Sequence, residues 1–226
     1  MIFNFIYWGF AFLRMGTSGF TAQSYGAEDR QEQVNILMRS FTVAMIAGIL
    51  IILLQYFISS AGFYLLNAEP TVRMYAQEYF SVYIWAAPAV LGMYTFNGWY
   101  VGMQNAKIPM VVAIGINIVN IVLSFLFVYG FGMKIKGVAF ASVCAQYTGF
   151  ISSLVIWNIK YGGLKQFINT AILRNLKSYI PFFKVNSDIF IRTMALVAVT
   201  TFFTSASSKE GKDILAVNAL LMQMFI

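Results

Sequence analysis

Residues 108–132 read IPMVVAIGINIVNIVLSFLFVYGFG and contain no charged side chain. Because a helix needs about 20 apolar residues to cross the ~30 Å hydrocarbon core of a bilayer, this stretch predicts a transmembrane helix. Further apolar stretches occupy residues 2–26, 41–66, 78–103, 137–159 and 189–206, and another begins near Ile214. The complete stretches are roughly twice as long as barrel strands and do not alternate polar with apolar residues. We therefore predict an all-α membrane protein.

The composition of the chain agrees with lipid as its main solvent. Of the 226 residues, 60% are hydrophobic and 10% are charged, whereas soluble domains carry about 25% charged residues. The absence of histidine and the single cysteine, Cys144, exclude His-ligated metals, Ser-His-Asp triads and an internal disulfide. No Gly-rich phosphate loop with a lysine occurs, which argues against an ATPase. The net charge of +7 indicates a cytoplasmic membrane face rather than nucleic acid.

The connectors between the apolar stretches predict the orientation in the membrane. Odd-numbered connectors hold 8 basic residues and even-numbered ones hold 5, so we place the odd-numbered ones in the cytoplasm. Residues 161–187 carry basic residues and no acid, and we expect an amphipathic helix there, lying on the membrane surface. Both ends of the chain fall within apolar stretches, so we interpret the sequence as a piece of a longer protein.

Polar side chains within the apolar stretches are the candidate functional residues, because lipid cannot solvate them. Asn117, Asn120 and Ser124 follow a spacing of i, i+3 and i+7 and share one face of a helix. They either line a cavity or form hydrogen bonds between helices. Asp188 and Arg192, at i and i+4, form either a local ion pair or a charge gate.

Charged residues are sparse in these stretches. No Asp or Glu lies between Glu78 and Asp188, so we expect a proton carrier to be Glu78, Asp188 or a residue outside this sequence. Arg14 lies among small residues that permit close helix contact, and we interpret it as structural.

Several stretches, in this order, resemble the multidrug and toxic compound extrusion (MATE) family, and its DNA-damage-inducible F-like branch fits best. They are residues 12–27 (FLRMGTSGFTAQSYGA), 88–91 (PAVL), 98–109 (GWYVGMQNAKIP), 117–128 (NIVNIVLSFLFV), 136–146 (KGVAFASVCAQ), 188–193 (DIFIRT) and 216–219 (AVNA). The resemblance implies twelve helices in two six-helix lobes around a central cavity, of which this chain would hold helices two to eight. It assigns residues 1–160 to the N-terminal lobe, 161–187 to a cytoplasmic linker and 188–226 to the start of the C-terminal lobe.

The resemblance also implies a function and its residues. It implies a multi-pass protein of the bacterial inner membrane that exports cationic or amphipathic compounds in exchange for H⁺ or Na⁺. Asn117, Asn120, Gln146 and Ser124 would line the cavity, and Asp188 and Arg192 would act near the cytoplasmic gate. The family's coupling Asp lies on helix one, and many members have Asp where Ser124 stands. We expect a secondary transporter with no catalytic residues, cofactor, bound metal or nucleic-acid partner, acting as a monomer in the lipid bilayer.

Three other functions remain open from the sequence. One is a non-transporting membrane scaffold, which differs from an exporter in that the full gene would confer no resistance to cationic dyes. A lipid-linked oligosaccharide flippase of similar architecture would call for several deep basic residues, but the few here lie mainly at helix ends. A membrane-embedded transferase would need clustered acids or histidines, which the sequence lacks.

Overall fold

The structure is a computed structural model that describes residues 2–66, 70–169, 179–180, 183–185, 187–192, 195 and 199. Contacts divide the chain into two compact units, Met1–Ile180 and Pro181–Ile226. Every named element of the described residues is helical and lies in the first unit. The all-α prediction is therefore confirmed for this part of the chain, while the predicted lobe boundaries stay predictions.

Eight α-helices and three short helical segments form the first unit. In chain order they are α1 (Ile2–Gly9), α2 (Ala11–Gly26), α3 (Arg30–Leu53), α4 (Gln55–Leu66), α5 (Pro70–Tyr83), a 3-10 turn (Ile84–Ala86), α6 (Ala87–Gly102), α7 (Lys107–Phe125), a π-helical turn (Leu126–Gly130), α8 (Lys134–Lys160) and a 3-10 helix (Gly162–Phe167).

Three of the described helices are long and apolar enough to cross a membrane: α3, α7 with its π-helical end, and α8. The predicted crossings at 2–26 and 78–103 are instead built from shorter pieces. The first is interrupted at Phe10, and the second by the 3-10 turn before Pro88. Proline lacks an N–H and crowds the preceding turn, which accounts for the second interruption.

The crossing predicted at residues 41–66 begins earlier than the sequence indicates. Residues 30–35, which we expected in a polar connector, belong to α3. The Asp29 side chain accepts a hydrogen bond of 2.9 Å from the backbone N–H of Glu32. This cap satisfies a donor that the first helical turn leaves free, so the helix starts among polar residues. The same crossing is interrupted at Leu54, between α3 and α4.

Helix α6 packs against α2, α3 and α8, while α7 packs mainly against α8. Gly98 and Gly102 of α6 face α2 so closely that a Cβ on Gly98 would lie 2.5 Å from the carbonyl oxygen of Arg14. Small residues at such crossings allow helix backbones to approach each other in lipid. A buried hydrogen bond of 2.9 Å from Thr17 to Ser40 joins α2 to α3 beside this contact.

Aromatic side chains close the end of the unit at which α6 and α8 terminate. Trp99 and Tyr161 meet edge to face with ring centroids 4.9 Å apart. The Trp99 indole N–H donates to the carbonyl oxygen of Gln33 at 2.9 Å. Amphipathic rings of this kind are common where a membrane helix reaches the interface.

The predicted surface helix within 161–187 is only partly covered by the described residues. Gly162–Phe167 forms a 3-10 helix, and the side-chain amide of Gln31 donates to the carbonyl oxygen of Phe167 at 2.6 Å. Residues 170–178 lie outside the described part of the chain. An amphipathic helix in that segment stays a prediction.

Candidate functional site

Asn120 connects α7 to α8 within the apolar region. Its side-chain amide donates to the Ser142 hydroxyl at 2.9 Å, and that hydroxyl donates in turn to the Val138 carbonyl oxygen at 3.0 Å. Asn120 is half-buried. Because lipid offers no alternative partner, such a hydrogen bond stabilises the contact between two membrane helices.

Asn117 and Ser124, which share the predicted face of α7, have different surroundings. Asn117 is exposed, and its amide donates to the Ala113 carbonyl oxygen in its own helix at 2.8 Å. Its neighbours Ile114 and Ile118 are exposed as well. Ser124 is half-buried. The structure therefore brings Asn120 against α8 but leaves Asn117 on the surface of the unit, and a cavity role for Asn117 and Ser124 stays a prediction.

Gln146 extends the polar contacts of Asn120 along α8. It is half-buried, lies one helical turn after Ser142, and its side chain lies near the Tyr83 hydroxyl of α5. Residues four apart share a helix face. Asn120, Ser142, Gln146 and Tyr83 thus form a line of neutral polar groups across α7, α8 and α5, which we call the amide line.

The structure also gathers tyrosines that the sequence analysis did not single out. The ring centroids of Tyr7 and Tyr83 are 6.3 Å apart and those of Tyr79 and Tyr83 are 5.4 Å apart. Tyr94 and Tyr147 also lie near Tyr7, and we call these five residues the tyrosine cluster. The i, i+4 spacing of Tyr79 and Tyr83 was the available signal, because two phenols on one helix face can add hydroxyls to a polar interior.

One member of the cluster contacts the interruption between α5 and α6. The Tyr147 hydroxyl donates to the carbonyl oxygen of Trp85 at 3.0 Å, and Trp85 lies in the 3-10 turn before Pro88. A proline kink leaves backbone groups that need other partners in lipid. The Tyr147 hydroxyl of α8 is such a partner for the backbone at this kink.

Asp188 and Arg192 lie in helical turns of the second unit, and both are exposed. In the described part of the chain, the ion pair with an N···O distance below 4.0 Å is the one between Arg39 and Glu32, at 2.9 Å. The proposed gate or ion pair at Asp188 and Arg192 stays a prediction.

The chemistry available in the amide line is hydrogen bonding by uncharged groups. Among the residues that the structure describes, no three His, Cys, Asp or Glu side chains converge as metal ligands. Amide and hydroxyl oxygens can accept hydrogen bonds from a ligand or solvate a hard cation. The arrangement is suited to reversible contact with a polar ligand.

Comparison with known proteins tests the family resemblance directly. The MatE family profile matches residues 1–126. DNA damage-inducible protein F of Escherichia coli (strain K12) is 32% identical over 224 residues, which cover 98% of this chain and 48% of that protein. The chain thus spans about half the length of this curated relative.

Solved structures agree with the fold. One described as MATE in the bent conformation superposes with a TM-score of 0.79 at 21% identity, over 96% of this chain and 49% of that chain. Another, the inward-facing conformation of a multidrug resistance MATE family transporter of the MOP superfamily, gives a TM-score of 0.62 at 25% identity, over 69% of this chain and 36% of that chain. These neighbours confirm the predicted MATE-like helical bundle, and members of this family are transporters rather than enzymes. The chain belongs to the MatE family of membrane transporters.

Proposed function

We propose that the chain is part of a cation-coupled multidrug efflux antiporter of a bacterial inner membrane, which works by alternating access as a monomer. Its substrates are cationic or amphipathic compounds. The observation that carries the proposal is the amide line, placed between apolar helices of a MatE-family fold. Polar groups inside the membrane are costly unless they bind a partner or line a water-filled cavity. Amide groups can form hydrogen bonds with ligands that differ in charge.

Helix interruptions support alternating access. The first three crossings are interrupted at Phe10, at Leu54 and at Ile84–Ala86. Gly48 of α3 lies against the backbone at the third interruption, since a Cβ there would meet the Pro88 Cα at 2.6 Å. Interrupted helices can change angle with little loss of hydrogen bonding, and transporters use them near substrate sites.

The coupling ion is proposed to be H⁺ or Na⁺, and the two ions need different side chains. Proton coupling needs a carboxylate, and Glu78 of α5 is the acid available between residues 70 and 169. It is half-buried. Sodium coupling needs several oxygen ligands, which Asn120 and Gln146 can supply. Either ion acts by binding one conformation more tightly than the other.

The test uses the full-length gene in a bacterial strain that lacks its main drug-efflux pumps. Ethidium efflux is followed by fluorescence in cells and in everted membrane vesicles, with an imposed pH gradient or an imposed Na⁺ gradient. We expect Asn120→Ala to lower the efflux rate at unchanged expression. Asn158→Ala, at an exposed amide near the end of α8, is the matched control and should retain the wild-type rate.

The outcomes separate the parts of the proposal. Efflux equal to that of the empty vector would refute ethidium export. An efflux rate that changes with neither the pH gradient nor the Na⁺ gradient would refute cation coupling. Equal rates for Asn120→Ala and Asn158→Ala would remove Asn120 from the transport mechanism.

A further inference from the structure

The chain leaves α8 through a short segment that lies against the first unit. We call residues 161–167, most of which form the 3-10 helix, the strap. The Tyr161 ring packs edge to face on Trp99, with centroids 4.9 Å apart, and its hydroxyl accepts a hydrogen bond of 3.2 Å from the side-chain amide of Asn105. Leu164 packs against the buried cluster that contains Trp99. These contacts hold the beginning and the middle of the strap.

The end of the strap is held by the side-chain amide of Gln31 in α3. The amide nitrogen donates one hydrogen bond to the Phe167 carbonyl oxygen at 2.6 Å and another to the side-chain oxygen of Asn35 at 3.0 Å. Because an amide nitrogen carries two hydrogens, both are used. Phe167 is half-buried, and the backbone becomes extended at Ile168. Gln31 therefore fixes the point at which the strap ends.

Asn35 connects this contact to the ion pair of α3. Its side-chain nitrogen donates to the Glu32 carboxylate at 3.0 Å, which leaves its oxygen to accept from Gln31. The Glu32 carboxylate also accepts two hydrogen bonds from the Arg39 guanidinium, at 2.9 and 3.4 Å. Asn35 is only 6% exposed, and hydrogen bonds in such surroundings strengthen one another. Hydrogen bonds thus run without a break from the ion pair to the strap, along about 12 Å of helix at ~1.5 Å per residue.

We propose that the ion pair of α3 controls whether the strap is docked, with Asn35 and Gln31 as the positioning residues between them. The strap is docked when Gln31 donates to the Phe167 carbonyl oxygen, and it is released when that bond and the packing of Leu164 are lost. The ion pair favours the docked state because it holds the Asn35 amide in the orientation that Gln31 requires. Two discrete arrangements of one element are what energetic coupling needs. The inference rests neither on export nor on the coupling ion.

Limited digestion of the purified full-length protein by trypsin in nanodiscs tests the proposal. Trypsin cuts after Lys165, an exposed residue of the strap, but only when the segment around it is extended. The rate of this cut therefore follows the population of the released state when opening and closing are fast. Mass spectrometry measures the fragments that end at Lys165. Their rate of formation is divided by that of fragments ending at Lys107, the first residue of α7, to correct for opening elsewhere.

Single variants test each step. Gln31→Ala should raise the corrected rate about threefold to tenfold, the scale of one hydrogen bond. Gln31→Met keeps the length of the side chain without its donor and should have the same effect. Glu32→Ala leaves Gln31 in place and should raise the rate about threefold, because Asn35 loses the acceptor that orients it. Gln23→Ala, at an exposed glutamine of α2, is the matched control and should keep the wild-type rate.

A double variant separates an effect through Gln31 from two independent effects. If Glu32 acts through Gln31, the protein with both Gln31→Ala and Glu32→Ala should be cut no faster than Gln31→Ala alone. A rate equal to the product of the two single effects, or a wild-type rate in Glu32→Ala, would overturn control by the ion pair. A wild-type rate in both Gln31→Ala and Gln31→Met would overturn the role of Gln31. Since no gradient or efflux enters these measurements, they stand apart from the test of transport.

Discussion

Replacing Gly98 with alanine perturbs a close approach between α2 and α6. The added Cβ would lie 2.5 Å from the carbonyl oxygen of Arg14 and 3.1 Å from the Cβ of Thr17. The nearer atom belongs to backbone, so a side-chain rotation cannot relieve the clash. Ordinary contact begins near 3.4 Å, and α2 therefore has to move by 3.4 − 2.5 = 0.9 Å relative to α6.

The expected cost follows from two opposing effects. Overpacking a tight contact costs about 1–3 kcal/mol, and a clash with backbone belongs near the upper end. Alanine recovers up to about 1 kcal/mol because it is a better helix former than glycine. The net destabilisation is about 2 kcal/mol, which is a large fraction of the stability of a typical protein.

The assay is unfolding of the purified full-length protein by increasing mole fractions of SDS in mixed micelles, followed by tryptophan fluorescence. Trp99 is fully buried and adjacent to the substitution, so it reports on this contact. The matched control is Gly19→Ala on α2, where an added Cβ meets no atom within 4 Å. That variant should keep or gain up to about 1 kcal/mol.

A stability of Gly98→Ala equal to or above that of Gly19→Ala would refute the reasoning. It would mean that α2 and α6 do not rely on a glycine at their crossing. An intermediate result for Gly98→Ser, with its small polar side chain, would not rescue the argument if alanine is tolerated.

Three further predictions concern other contacts. Tyr147→Phe removes the donor to the Trp85 carbonyl oxygen and should lower the stability by about 1 kcal/mol in the same SDS titration; an unchanged midpoint would show that the turn needs no partner from α8. Glu32→Gln leaves Arg39, whose side chain is 15% exposed, without its counter-charge and should cost about 1 kcal/mol, and a gain in stability would contradict the ion pair's role. Cys144 is exposed on α8, and we expect it to face lipid. Maleimides react with the thiolate, which forms in water, so N-ethylmaleimide should label Cys144 slowly until SDS unfolds the protein; fast labelling of the folded protein would place Cys144 in water rather than lipid.

The position of Asn120 illustrates how far the helical period predicts a site. Its spacing from Asn117 and Ser124 places the three side chains on one face of α7, because side chains three or four residues apart share a face. The same spacing grouped Asn117 with it, yet Asn117 bonds to its own helix. The difference arises from where α8 lies, and periodicity within one helix carries no information on the position of its neighbour.

The early start of α3 and the tyrosine cluster were missed for related reasons. Residues 30–35 look like a connector by polarity, but Asp29 caps a helix there and the 3-10 helix of 162–167 is held against it. The tyrosines come from α1, α5, α6 and α8, at positions far apart in the chain. Single-sequence reasoning treats each as an amphipathic ring, and only packing shows which rings lie together.

The sequence by itself determined that this chain is a helical membrane protein, because apolar stretches of about 20 residues can form few structures other than helices in lipid. It also sufficed to identify the family. The tertiary structure alone decided that Asn120 reaches Ser142 and that Gly98 lies against Arg14. The physical reason is that hydrophobicity is a sum over neighbours along the chain, whereas hydrogen bonds and close contacts depend on atoms that only helix packing brings within a few ångströms.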